Sequence, residues 1–63
     1  MPKHEYAAYA AKSQYHPHTH NQQNISTLNS AKREARSMLD NLPGVNYVWV
    51  EDEDCRVVWK KGY

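Results

Sequence analysis

The stretch Tyr47-Val48-Trp49-Val50-Glu51-Asp52-Glu53-Asp54-Cys55-Arg56-Val57-Val58-Trp59-Lys60 decides how the chain is read. Two β-branched and aromatic runs flank four consecutive carboxylates, the pattern of two strands and a charged turn. A β-hairpin over 46–61 is therefore expected, holding both tryptophans of the 63-residue chain. The turn lacks an Asn-Gly or Gly-rich pair, so a loop of three or five residues is expected rather than a two-residue primed turn. Any odd-length loop puts Tyr47, Trp49, Val57 and Trp59 on one face and Val48, Val50 and Val58 on the other. An even loop splits the tryptophans, because a shift of one residue exchanges the whole set.

The next clear element lies just upstream. Leu28, Ala31, Ala35, Met38, Leu39 and Leu42 recur on one face of a 3.6-residue period, which predicts a helix over 26–42. Ser26 or Thr27 can cap its start, since a hydroxyl oxygen accepts an orphan backbone N–H there. Pro43 disfavours helical backbone at Leu42 and Gly44 tolerates a positive φ, so the helix stops at this point. Its alanines admit close approach of a sheet. With an odd loop, Trp49 and Trp59 are the side chains expected to pack on Ala31, Ala35 and Met38.

Residues 5–12, EYAAYAAK, satisfy two patterns. Their alanines suit a helix, whereas Tyr6, Ala8 and Ala10 alternate with Ala7, Tyr9 and Ala11 as in a strand. A strand is the favoured reading, because a two-stranded hairpin alone is marginal. Residues 13–25 are almost wholly polar and contain Pro17, and read as a surface loop. The resulting expectation is an α+β fold in a single small domain, ordered β-α-β-β. It has a three-stranded sheet, order 1-3-2, and one helix on one face, acting as a right-handed crossover between parallel strands.

Bulk properties bound the function. A chain of 63 residues holds one domain and buries roughly 60% of its unfolded surface, so its stability is marginal. Cys55 is the sole cysteine, which gives no sign of an oxidising compartment. No apolar segment follows Met1-Pro2-Lys3-His4-Glu5, and no stretch is apolar enough to span a membrane. A cytoplasmic protein is expected. The net charge of +1 does not itself point to nucleic acid. Its distribution is uneven: Lys32, Arg33 and Arg36 cluster on the helix, Arg56, Lys60 and Lys61 on the last strand, and the carboxylates at the hairpin tip.

Catalytic signatures are sparse. His16, His18 and His20 could share one face of an extended segment and converge on a metal. They sit in a polar loop without a nearby carboxylate to orient them, so they read as loop residues and no cofactor or metal is assigned. Cys55 reads as a turn or strand-end residue. Acid–base catalysis by residues 51–54 needs a cleft, which a hairpin tip does not offer. With only two glycines there is no phosphate-cradling loop. A non-enzyme is expected.

One helix covers one sheet face, so the other face must meet water or a partner. The expected partner surface is Val48, Val50 and Val58 with Arg56 and Lys60, assisted by Lys32, Arg33 and Arg36. A strand, a polar loop, a helix carrying Ser30-Ala31-Lys32-Arg33-Glu34-Ala35 and a terminal hairpin together resemble small bacteriophage accessory proteins, some of them anti-CRISPR or host-takeover inhibitors. That resemblance implies a protein that blocks a larger host protein or ribonucleoprotein complex by binding, without catalysis. Two alternatives stand beside it. One is a small nucleic-acid-binding protein using basic and aromatic surfaces. The other is a homodimer formed through the uncovered face.

Overall fold

The computed structural model describes residues 5–12 and 18–62. Five elements follow in order: β1 (Tyr6–Ala11), β2 (His18–Ile25), α1 (Leu28–Asn41), β3 (Tyr47–Glu51) and β4 (Val57–Gly62). The fold is α+β, with one four-stranded sheet in the order β2-β1-β3-β4, and every neighbouring pair is antiparallel.

Three expectations are corrected here. The sheet has four strands, because residues 18–25, expected within a loop, form β2; residues 13–17 lie outside the described residues. The chain order is therefore β-β-α-β-β. The last strand is not central: β1 pairs with Tyr47–Glu51, antiparallel, and β4 stands at the edge. Accordingly α1 connects β2 to β3, two strands that flank β1 and run parallel to each other.

The physical reason β2 escapes its own side chains is simple. Residues 19–24 are all exposed and polar, so no buried alternation marks them. The backbone pairing with β1 holds the strand, and the Thr19 hydroxyl adds a bond to the Ala10 carbonyl at 3.3 Å. Two register breaks interrupt that pairing, and Asn24 within the strand has φ 61°, a left-handed conformation that asparagine tolerates.

Helix α1 forms as its pattern predicts, within shorter limits. Thr27 is the N-cap, extended at φ −130°, and its hydroxyl accepts from the Ser30 N–H at 3.1 Å. Leu42 is extended ahead of Pro43, and its N–H closes the last turn onto the Met38 carbonyl at 3.1 Å. Gly44 then takes φ 84°, turning the chain toward β3.

The helix lies on small side chains. Ala31 and Ala35 meet a sheet surface made of Ala8, Ala10, Val48 and Val50, all of them completely buried. Register explains the match, since Ala8 lies opposite Val50 and Ala10 opposite Val48. Met38 and Val45 belong to the same buried cluster, and Tyr6, Ile25, Leu28, Leu39, Leu42 and Trp59 pack around it.

The expectation that both tryptophans pack on the helix is overturned. Trp49 lies opposite Tyr9 and joins Tyr47 and Ala11 in a second cluster on the other side of the sheet, whereas Trp59 packs on the helix side. A bulge is the cause. The loop between Glu51 and Val57 does hold five residues, 52–56, but the register slips by one immediately after the Glu51–Val57 pair. Beyond the slip Val50 faces Trp59 and Trp49 faces Lys60, so the strands continue as though the loop were even.

Gly62 fixes how the far end of β4 closes. Its φ is 109°, and a Cβ there would lie 2.5 Å from the Asn46 carbonyl oxygen and 2.9 Å from the Tyr47 Cα. Both are backbone atoms that cannot swing aside. Gly62→Ala is therefore expected to cost about 1–3 kcal/mol. Thermal unfolding checks this: the melting temperature should fall by more than about 5 °C, and an unchanged value would mean that β4 does not close against residues 46 and 47.

Candidate protein-binding surface

The expected partner residues separate into three groups. Val48 and Val50 are fully buried beneath α1. They hold the core and have no surface to offer a partner, so the expectation for these two is corrected. The face expected to be uncovered is the one the helix covers, because Val48 and Val50 lie beside Ala10 and Ala8 and make the smoother seat for Ala31 and Ala35.

Arg56, Val58 and Lys60 are all exposed and lie together at the start of and along β4. Val57 and Lys61, exposed on the same strand, complete the group. Val57 and Val58 are each 42% exposed, the large apolar side chains most open to water among the described residues. With Trp59 and Lys60 they line an open depression of about 310 Å³. Val57 was missed because its side of the sheet, shared with Trp49, was expected to be the one under the helix; it pairs with Glu51 ahead of the slip and keeps that side.

The helix cations form a separate group. Arg33 and Arg36 are exposed and three apart, hence neighbours on the helix surface; Lys32 is half-buried and one turn from Arg36. They stand on a different element from the β4 group.

The acidic tip is a built turn. Asp52 organises it: one carboxylate oxygen accepts from the Asp54 N–H at 2.9 Å and from the Arg56 N–H at 3.0 Å. Its own N–H donates to the Arg56 carbonyl at 2.9 Å, and its carbonyl accepts from the Cys55 N–H at 3.0 Å. Asx side chains hold turns in this manner. Cys55 completes the reversal at φ 65°, an unfavourable angle for a residue with a Cβ. It is exposed. Asp52, Glu53 and Asp54 also border a depression of about 270 Å³ shared with Tyr6, Leu28 and Val58. Negative charge therefore ends at one end of β4 and positive charge begins.

The side of the sheet away from the helix is not an aromatic binding platform. Trp49 is 1% and Tyr47 4% exposed. Tyr9 stacks on Trp49 with ring centroids 5.4 Å apart at 15°, and Tyr47 tilts against it at 5.6 Å. The indole N–H donates to the Glu51 carboxylate at 2.8 Å. Burial, with Glu51 and Cys55 nearby, pushes the Tyr9 phenol above its ordinary 10.0.

The histidine run is only partly within view: His16 lies outside the described residues, and His20 is exposed, its Nδ1 2.9 Å from the Thr19 hydroxyl. Among the described residues no three of His, Cys, Asp and Glu are grouped to hold a metal ion. Among them, too, no helix is long and apolar enough to cross a membrane. Comparison of the chain with protein-family models, with curated proteins and with solved structures finds no match.

Asp52 gives a direct test of the tip. Asp52→Ala removes two accepted hydrogen bonds and should destabilise the protein by about 1–2 kcal/mol, with Asp52→Asn costing less because one oxygen acceptor remains. Cys55→Gly should stabilise it by up to about 1 kcal/mol by relieving the left-handed backbone. Urea unfolding of the three variants measures both signs. Equal midpoints for Asp52→Ala and the parent would show that the carboxylate does not organise the turn.

Proposed function

We propose that this protein is a non-enzymatic binding module of the host-takeover kind, which inhibits a larger host complex by occupying one of its surfaces. A CRISPR or other nucleic-acid-processing machine is the class of target in view, and the host cytoplasm its place of action. One observation carries the binding part: Val57 and Val58 stand in water on an edge strand, beside Arg56, Lys60 and Lys61. Apolar side chains left exposed gain free energy when a partner covers them, and adjoining cations orient the encounter. Arginine adds bidentate pairing with carboxylate or phosphate. The inhibitory part rests on the resemblance in size and general α+β build, and on the Ala31-Lys32-Arg33 helix segment, to small phage accessory proteins.

The same cations favour nucleic acid as the alternative partner. Burial of Trp49 weighs against it, because stacking on bases requires an exposed ring face.

Arg56→Glu and Val58→Glu discriminate these readings. Both side chains are exposed, so circular dichroism should be unchanged. Capture of the host complex from lysate should drop at least about tenfold for each, the loss expected when a contact at the centre of an interface is reversed. Capture by both variants within a factor of about two of the parent would remove β4 from the interface. Binding to oligonucleotide that weakens steeply with salt would favour the alternative.

A further inference from the structure

We propose that the outer edge of β4 accepts an extended acidic segment of the partner protein as an added strand. This rests on the reading of the chain as a protein-binding module and names the mode and chemistry of that binding. In the order β2-β1-β3-β4, β4 pairs with a strand on one side only among the described residues. A strand edge presents N–H and C=O groups that an extended peptide can take up, with side-chain contacts setting specificity.

The side chains of β4 say which peptide fits. Residues 56–62 contain Arg56, Lys60 and Lys61 and no carboxylate. Pairing β4 with β4 of a second copy would bring six such cations along one seam with no counter-charge. Edge lysines ordinarily guard a strand against self-pairing in this way; they do not repel a segment carrying Asp or Glu. The tip carboxylates at 51–54 lie at the other end of the strand. Acidic residues of the added segment are thus placed beside Lys60 and Lys61, and apolar ones beside Val57 and Val58. The opposite edge differs: residues 19–24 of β2 are polar and its register is broken twice, so it offers neither an apolar contact nor a regular edge.

Fluorescence anisotropy of the whole chain with a labelled extended peptide carrying two consecutive valines at one end and two consecutive glutamates at the other tests this. The acidic peptide should bind at least tenfold more tightly than its valine–lysine counterpart, and Lys60→Glu with Lys61→Glu should reverse that order. Methylating alternate peptide nitrogens should abolish binding, because strand addition needs main-chain donors. Equal binding of the methylated peptide, equal binding of the lysine peptide, or self-association of the chain without peptide binding would each overturn the proposal. If the peptides fail while Val58→Glu still loses the host complex, strand addition falls and the binding surface stands. If Val58→Glu captures that complex like the parent, the surface itself is wrong.

Discussion

How closely α1 can approach β1 and β3 governs the whole molecule. Ala31 and Ala35 on the helix share one buried cluster with Ala8, Ala10, Val48 and Val50 on the sheet. Small residues on both sides let the two layers close without voids, which is the condition for dispersion and burial to stabilise a core. Tyr6 and Trp59 pack only around the margin of this cluster. Trp49 and Tyr47 occupy the other side of β3.

That division gives a short chain two apolar clusters around one sheet. Burying an indole removes about 150–250 Å² from water, worth roughly 4–6 kcal/mol of transfer free energy as an upper figure. Trp49 supplies this opposite the helix, with Tyr9 stacked on its face and the Glu51 carboxylate receiving its N–H. Glu51 also precedes Asp52, whose carboxylate ties the turn, so the end of β3 joins the second cluster to the acidic tip. Next to it Val57 pairs with Glu51 ahead of the bulge, Val58 is the extra residue at the bulge, and both are exposed. The slip in register thus sets how the rest of β4, from Trp59 to Gly62, faces β3.

The elements that bury a patterned face could be read from the residues. Helix α1 showed its period, its Thr27 cap and its Pro43-Gly44 stop, and the terminal hairpin showed its β-branched and aromatic runs. The alternation in residues 5–12 led to a strand. β2 could not be read in this way, because residues 19–24 bury nothing and the strand is held through its backbone. Missing it also displaced the strand order, since the helix was then taken to cross from β1. The facing of the hairpin failed for a different reason: a bulge depends on how two strands accommodate each other, and Val57-Val58 looks the same with or without one. For the surface, Arg56, Val58 and Lys60 stand exposed as expected, Arg33 and Arg36 are exposed and Lys32 half-buried on the helix, whereas Val48 and Val50 lie in the core because the helix covers their side of the sheet.

Nuclear Overhauser effects from the two indole rings reveal whether the bulge divides the tryptophans between two sides of the sheet. Contacts are expected from Trp49 to the rings of Tyr9 and Tyr47 and none to the methyls of Ala31 or Ala35, with Val48 and Val50 touching those methyls instead. Trp49 and Trp59 both showing contacts to Ala35 would contradict it, returning both tryptophans to the helix side and both valines to the surface.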